Sequence, residues 1–307
     1  DLVNLHRTTE VNRATAHYDK TLYQQKPDPF TYGFGLGYQQ NLGGPDGFLL
    51  YQISAYAEGQ YRFTPNTWAS GGVSVNLLNN YDKFKYDSAS NLPRVRTDLR
   101  QYATTSDITM PALQLNKAKR LDQDLYGMVY GGYLESMYAG VGGELLYRPM
   151  GERWSIGADL NYVRQREFDQ GFGLRDYRTV TGHVTTYTKL PFDLDAAFCV
   201  GRYLARDWGT TIDISREFTN GVKFGGWVTR TTASSEEYGE GSFDKGIYIS
   251  IPFDEMMSVS TMSRANIAWA PLTRDGGAML HRPYSLHTMT DGRNRDAFYE
   301  NFEKITE

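Results

Sequence analysis

The feature that most constrains the fold is a strict alternation of apolar with small or polar residues, repeated in one segment after another. In 30–38, Phe, Tyr, Phe, Leu and Tyr alternate with Thr and three Gly, and in 154–162, Trp, Ile, Ala, Leu and Tyr alternate with Ser, Gly, Asp and Asn. Side chains two residues apart share one face of a β-strand, whereas helical spacing explains none of these runs. The sequence therefore predicts a predominantly β chain.

The length of these runs indicates the class of β protein. They last about 10–15 residues, whereas an ordinary strand has about five or six. Tilted strands of roughly nine to eleven residues or more are what a membrane-spanning barrel needs. The apolar faces end in aromatic residues such as Trp154 and Trp208, which is typical of the girdles at membrane interfaces. A large soluble β-sandwich or propeller is the alternative, and length, alternation and girdle together favour the membrane barrel.

The number of strands follows from counting the runs. Thirteen alternating segments lie between 30 and 270, and single-chain bacterial barrels prefer an even number. A fourteenth strand is therefore expected from 5–20 or from 278–290. We predict an all-β, antiparallel transmembrane β-barrel of about 14 strands, with 12–16 as the range. If strands alternate in direction, the tight turns near 65, 151, 191 and 220 lie at one end of the barrel and the long links 80–98, 168–177 and 234–241 at the other.

The predicted domain organisation is one barrel over 1–290 followed by a tail, 291–307, with a possible short helix around Phe298 and Phe302. The segment 274–287 is predicted to lie within the lumen or to plug it. Its ionisable candidates are Arg274, His281, Arg282 and His287. They cannot face lipid, where an Arg at the midplane costs roughly 2–4 kcal/mol. Pro283 argues against a central strand, although a closing strand with inward charges is the alternative.

The face opposite the apolar one carries the candidate lumen residues. They are Glu58, Arg62, Glu144, Asp159, Asp213, Glu217, Lys223, Trp227, Asp244 and Arg264. Arg282 is expected to pair with a carboxylate of this face, such as Asp213, Glu217 or Asp244. Mixed charges, amides and isolated aromatic rings suit sugar hydroxyls and ring faces. A lumen of structural salt bridges is an equally good interpretation.

The net charge and the absence of known motifs argue against several other classes of protein. The net charge of −4 leaves no basic excess for binding nucleic acid. A single cysteine, Cys199, can form neither an internal disulfide nor a thiolate cluster. HExxH, Walker A and GxGxxG motifs do not occur. His281 and His287 are poorly spaced for a metal, and Asp193 with Asp195 lies beside a turn, where acidic residues usually face water. We expect no catalytic residues, no metal and no cofactor.

Several stretches carry a resemblance to a known family. They are 208–218 (WGTTIDISREF), 220–227 (NGVKFGGW), 241–251 (GSFDKGIYISI), 274–283 (RDGGAMLHRP), 4–7 (NLHR) and 164–172 (RQREFDQGF). The chain resembles the YjbH/GfcD-type family of Gram-negative outer-membrane proteins, which are encoded with exopolysaccharide or capsule secretion genes. Members are about twice as long, so the resemblance is to their C-terminal half and implies a second, N-terminal β-domain. It implies no catalytic residues.

The resulting expectation is a barrel in the cell outer membrane that acts as a conduit or accessory channel for an extracellular or capsular polysaccharide. The expected partners are that polysaccharide, outer-membrane lipid, the N-terminal β-domain of the same protein and periplasmic secretion-system proteins, without nucleic acid. The opening residues lack a signal-peptide pattern, so any export signal is expected upstream. Two alternatives are a membrane-embedded enzyme that modifies glycan or lipid and a structural docking platform. An enzyme would need a nucleophile beside a base, and the sequence shows no such pair.

Overall fold

The computed structural model describes most of the chain. The described residues are 28–44, 46–85, 90–150, 152–238, 243–252, 264–270 and 275–293. Three predictions fall outside them: the strand within 5–20, the position of Arg274, and the helix around Phe298 and Phe302.

The described chain forms one antiparallel sheet of fourteen strands that curls into a nearly closed barrel. The strands are β1 (Phe30–Gly44), β2 (Gly47–Thr64), β3 (Thr67–Asn79), β4 (Ile108–Thr109), β5 (Leu113–Arg120), β6 (Leu125–Tyr133), β7 (Tyr138–Tyr147), β8 (Trp154–Arg166), β9 (Leu174–Leu190), β10 (Leu194–Arg202), β11 (Trp208–Glu217), β12 (Lys223–Thr231), β13 (Asp244–Pro252) and β14 (Arg264–Trp269). Each strand pairs with the next in sequence, except that β4 pairs only with β3, which also pairs with β5.

Helices are few and short. They are α1 (Leu99–Thr104), α2 (Ser235–Tyr238) and α3 (Leu286–Met289), with 3₁₀ turns at Tyr81–Lys83, Pro191–Asp193 and Asp291–Arg293. Among the described residues, no helix has the length and apolar character needed to cross a membrane.

The predicted all-β antiparallel barrel with about fourteen strands is confirmed, but the prediction of a strand in 278–290 is wrong, and the alternative in 5–20 lies outside the described residues. The described residues 275–293 contain α3 and no strand, and the extra strand is the two-residue β4. Pro283 has no N–H to donate to a neighbouring strand. Ser285 then caps α3 by accepting a hydrogen bond from the Thr288 N–H. The local sequence therefore turns the chain into a helical turn where the strand was expected.

The two ends of the barrel differ in their connections. One end, here called the turn end, carries the links 65–66, 121–124, 148–153, 191–193 and 218–222. The other, here called the loop end, carries 80–107, 134–137, 167–173, 203–207 and 232–243. The predicted tight turns and the predicted long links therefore lie at opposite ends.

The barrel has its apolar residues on the outside as well as in part of the interior. Outward side chains of the strands are large, apolar and exposed; Leu160 on β8 keeps 65% of its surface accessible. Inside, a cluster of buried residues that includes Tyr126, Met128 and Leu146 packs around Leu286 of α3. The interior core therefore depends on a segment that is not part of the barrel wall.

Candidate functional site

Residues 275–293, here called the lumen segment, run through the interior of the barrel from one end to the other. At the loop end the Gly277 N–H donates to Asp207 Oδ2, which lies in the link between β10 and β11, at 2.8 Å. At the turn end the guanidinium of Arg148, just beyond β7, contacts Asp291 Oδ1 at 2.9 Å. Because these two partners belong to opposite ends, the segment between them crosses the lumen.

A buried carboxylate fixes the first residue of the lumen segment. Asp275 is 2% exposed and accepts hydrogen bonds from the backbone N–H groups of Val95, Arg96 and Thr97 at 2.8–3.0 Å. The Thr97 hydroxyl adds a fourth donor at 2.5 Å. Charge-assisted bonds of this kind compensate the cost of burying a carboxylate. Asp275 thereby ties the lumen segment to the long link between β3 and β4.

A second anchor joins the same link to the hairpin between β6 and β7. Arg96 binds both carboxylate oxygens of Glu135, at 2.8 and 3.1 Å, and its Nη2 donates to the Met279 carbonyl at 2.6 Å. Glu135 also accepts from the backbone N–H of His281 at 3.2 Å. This bidentate pair therefore holds residues 279–281 from both sides.

The third anchor lies in the middle of the lumen, on β7. Glu144 Oε2 accepts a hydrogen bond from Arg282 Nη1 at 2.7 Å, and its Oε1 accepts from the Leu286 N–H at 3.0 Å. The same Arg282 nitrogen lies 2.9 Å from the hydroxyl of Tyr130 on β6. Both oxygens of a buried carboxylate are thus used by the lumen segment, which positions Arg282 and the start of α3 together.

The predicted partners of Arg282 were wrong, because its partner is Glu144. Asp213 instead accepts from the Tyr248 hydroxyl at 2.9 Å, and Asp244 accepts from Trp227 Nε1 at 3.1 Å. These carboxylates are bound by neighbouring strands, whereas Arg282 approaches β6 and β7. The sequence identifies inward carboxylates but does not fix which part of the wall the segment follows.

The Arg282 site continues into a buried polar network across four strands. The Tyr130 hydroxyl donates to Asn161 Oδ1 at 2.5 Å, and Asn161 Nδ2 donates to Asp159 Oδ2 at 2.6 Å. Asp159 in turn lies 3.8 Å from His183 Nδ1. Gly142 is required here, since a Cβ on it would lie 2.3 Å from Asn161 Oδ1. The network therefore depends on a glycine opposite the Tyr–Asn pair.

Beyond Arg282, α3 is held at the turn end by Arg148. Its Nη1 donates to the carbonyl of His287 at 2.9 Å and to the Thr290 hydroxyl at 3.2 Å. The imidazole of His287 stacks on the ring of Tyr187, with centroids 3.7 Å apart and planes 19° apart. Arg148 and Tyr187 therefore fix the helical turn against β7 and β9.

A cavity of about 430 Å³, here called the turn-end chamber, lies beside α3. Its ionisable lining residues are Arg148, Glu152, Arg153, Lys189, Asp195, Asp213, Glu217, Lys223, His287 and Asp291. Acidic and basic groups are nearly balanced, and the volume falls within the roughly 300–1,000 Å³ of small-ligand sites. Within the described residues no three His, Cys, Asp or Glu side chains group as metal ligands would. The chamber therefore offers charged groups of both signs to a hydrated, polar molecule.

The sequence-predicted lumen candidates separate into several sites. Glu144 and Asp159 belong to the Arg282 network, whereas Asp213, Glu217 and Lys223 line the turn-end chamber. Trp227 and Asp244 bind each other on β12 and β13, near the loop end. Arg264 on β14 donates to Ser250 Oγ at 2.8 Å.

Two further candidates lie on β2, and one of them, Glu58, lines a second cavity. This cavity, of about 560 Å³, lies between β1–β3 and residues 283–284 of the lumen segment, and Glu58 lines it. The Tyr284 hydroxyl reaches it and donates to Gln60 at 3.1 Å. Arg62 follows Glu58 by four residues on the same face of β2.

Arg166, at the end of β8, is a central residue that the sequence interpretation did not include. Its side chain is completely buried and donates to the backbone carbonyls of five residues. They are Met110, Pro111, Glu135, Gln170 and Gly171. The guanidinium supplies these carbonyls with the hydrogen-bond donors that a neighbouring strand would otherwise provide. It thereby closes the loop end around the lumen segment. Alternation gives no signal for this role, because Arg166 lies at a register shift between β8 and β9.

The environment of His287 predicts a pH effect on α3. Burial and the positive charge of Arg148 lower the pKa of His287 to about 4, although Asp291 opposes them and Lys223 adds to them. In the unfolded chain the pKa is about 6.5. Between these values only the unfolded state takes up the proton, so the stability of the segment falls as pH drops from about 6.5 to 4. We expect the protection factors of the amides of 286–290, which are exchange rates corrected for the intrinsic pH dependence of exchange, to fall over that window.

The matched variant for this prediction is His287→Gln, which keeps a polar side chain but cannot titrate. It should lose the part of the pH dependence that lies between about pH 6.5 and 4. An unchanged profile would show that other groups produce the effect.

Comparisons with known proteins indicate the family of this chain. The model of a family named YjbH and described as "Exopolysaccharide biosynthesis protein YbjH" matches residues 2–292. The "Uncharacterized lipoprotein YjbH" of Escherichia coli (strain K12) is 44% identical over 263 residues, which are 83% of this chain but only 38% of the relative. The solved structure "Salmonella typhi OmpF complex with Daunomycin" aligns with a TM-score of 0.43 and 10% identity, covering 80% of this chain and 91% of the other. The chain therefore belongs to the YjbH exopolysaccharide biosynthesis family and spans well under half the length of its curated relative.

Proposed function

We propose that this chain is a transmembrane β-barrel of the outer membrane that takes part in exporting or assembling an extracellular or capsular polysaccharide. Its role is that of a conduit or accessory channel, without bond-making chemistry. The observation that carries the proposal is the distribution of side chains: the outer wall exposes apolar residues, while charged and hydrogen-bonding groups fill the interior. Water would not stabilise so much exposed apolar surface.

The dimensions of the outer wall support a membrane location. On β8 the outward row runs from Trp154 through Leu160 to Tyr162, all exposed. Eight residue steps cover about 26 Å at about 3.3 Å per residue, and a tilt of roughly 40° shortens this to about 20 Å. An apolar band about 25 Å tall with aromatic residues at both edges is typical of outer-membrane barrels. The name of the Escherichia coli relative, a lipoprotein, also supports membrane association.

The interior supports a carbohydrate ligand. The turn-end chamber offers charges of both signs, and the second cavity places Tyr56 and Tyr284 beside Glu58 and Gln60. Aromatic faces and fixed polar groups are the two kinds of contact that a hydrated sugar chain can use. The family is described by exopolysaccharide biosynthesis, which supports an extracellular polysaccharide as the ligand.

The lumen segment decides how such a conduit would work. Three buried carboxylates hold it in the centre of the barrel, so a polymer can pass through the lumen only if the segment moves. In the alternative, the barrel has an accessory role and guides the polymer to another pore. The relative is much longer than this chain. We therefore include a further domain of the full-length protein and periplasmic secretion-system proteins as partners in the proposal.

Detergent-purified protein tests the membrane location. We expect a β-type circular dichroism spectrum, a gel band that resists urea and shifts on heating, and dependence of solubility on detergent. A monodisperse monomer in detergent-free buffer would contradict the transmembrane part of the proposal. Planar-bilayer recordings then separate a channel from a docking platform: the intact chain should give small or rare openings, because the lumen segment occupies the pore.

A further inference from the structure

Four arginines gather on the outer wall at the loop end, away from the lumen. Arg164 ends the outward row of β8, Arg178 lies on β9, Arg202 ends β10, and Arg206 lies in the link between β10 and β11. This group is here called the arginine rim. It belongs to none of the lumen contacts described above.

Strand register brings two of these charges together. Arg164 and Arg178 are direct partners in the pairing of β8 with β9. Like charges directly opposite each other destabilise a sheet. Asp176 lies 3.5 Å from Arg164, but it is fully exposed and does not reach the others. The guanidinium of Arg178 has no hydrogen-bond or ion-pair partner in the described part of the chain. The protein therefore leaves this positive charge largely uncompensated.

The other two arginines are held beside Arg178 by the backbone of β9. Because β10 ends with Arg202 opposite Gly182, the part of β9 before Gly182 has no neighbour on that side. Arg206 Nη2 donates to the carbonyl of Arg178 at 2.9 Å, and Arg202 Nη1 donates to the carbonyl of Val180 at 2.8 Å. Capping these carbonyls is a structural role. A guanidinium has five N–H donors, however, so each retains donors for a ligand.

The rim lies immediately beyond the apolar band. Three of its residues stand two positions beyond an exposed apolar side chain on the same strand face. The pairs are Arg164 with Tyr162, Arg178 with Val180, and Arg202 with Val200. In a barrel that spans a membrane, this level corresponds to the lipid headgroups. Basic clusters at that level attract anionic lipids.

We propose that the arginine rim binds the phosphate groups of a phosphorylated glycolipid whose acyl chains lie along the outward faces of β8–β10. The proposal rests on the membrane orientation in the proposed function. Guanidinium groups match phosphate oxygens bidentately, and four of them lie at the same end of the neighbouring strands β8–β10, next to an apolar wall. A ligand with a multiply charged anionic head and apolar chains satisfies both surfaces, whereas free phosphate uses only one.

Binding of bisphosphorylated lipid A to the detergent-purified full chain tests the proposal. Arg178→Gln should weaken binding several-fold, and the double variant Arg178→Gln with Arg206→Gln by at least about tenfold. The matched control is Arg216→Gln. Arg216 is exposed on β11 at the turn end and packs on Phe218, so its loss should not change binding. Because Arg178 has no side-chain partner to lose, the heat-shifted gel band of Arg178→Gln should be unchanged.

Chemically modified probes distinguish the sources of phosphate. Dephosphorylated lipid A should bind at least about tenfold more weakly, and inorganic phosphate should compete only at far higher concentration. If vesicles containing phosphatidylglycerol bind as well as lipid A, the ligand is not specifically a phosphorylated glycolipid. If Arg216→Gln weakens binding as much as Arg178→Gln does, the binding site is not at the arginine rim. Lipid binding and conductance are separate measurements. If the barrel conducts but lipid binding does not depend on the arginines, the proposed lipid site at the arginine rim is refuted and the conduit is not. If lipid binding depends on the arginines but the barrel does not conduct, the conduit is refuted and the lipid site is not.

Discussion

Glu144→Gln is expected to destabilise the lumen segment by about 3 kcal/mol or more, because breaking a buried ion pair leaves its partner uncompensated. The Glu144 side chain is 6% exposed and that of Arg282 is 15% exposed. An amide in place of the carboxylate can still accept from the Leu286 N–H, but its NH₂ group then faces the Arg282 donor. Hydrogen exchange of the backbone amides of 275–293 and the guanidinium chloride midpoint of unfolding measure the effect.

Two control variants identify the charge as the cause. Asp291→Asn removes the ion pair between the segment and Arg148, whose acidic partner is 67% exposed, and should cost at most about 1 kcal/mol. The double variant Glu144→Gln with Arg282→Gln removes both buried charges and should be more stable than Glu144→Gln alone. If the single and double variants are equally destabilised, the ion pair does not hold the segment.

The wall of the barrel could be predicted from the sequence because one local rule governs it. Alternation places Asp159 and Asn161 on one face of β8 and Leu160 on the other, whatever the rest of the chain does. The same rule selects Glu144 as an inward residue. It needs only neighbouring residues, so it can be applied without knowing the fold.

The interior could not be predicted in the same way, because its contacts join distant and irregular segments. Asp275 binds Val95 across 180 residues of sequence, and Arg96 binds Glu135 from one loop to another. Neither loop has a repeating pattern that would indicate which side chains meet. The choice of Glu144 for Arg282 likewise depends on the path of the lumen segment.

The described residues form thirteen long strands, an odd number, and the path of the chain explains why. β1 begins at the turn end, and thirteen long strands leave the chain at the loop end after Trp269. The lumen segment, 275–293, then brings it back to the turn end. Within the described residues the chain thus crosses the barrel an even number of times, and the last of these crossings runs through the interior, where an irregular backbone can be satisfied by polar side chains.

Deletion of 275–293 is expected to leave the barrel folded and to raise its single-channel conductance several-fold. The segment contributes no strand to the wall, and the carboxylates of Glu135 and Glu144 that it leaves behind would face a water-filled lumen. Its apolar contacts through Leu286 are lost, so the guanidinium chloride midpoint of unfolding should also fall. The heat-shifted gel band reports folding and planar-bilayer recordings report conductance, with Asp291→Asn as the control that keeps the segment. Loss of the folded band would show that the barrel cannot close without this interior crossing, whereas a folded barrel with unchanged conductance would show that the segment does not block the pore.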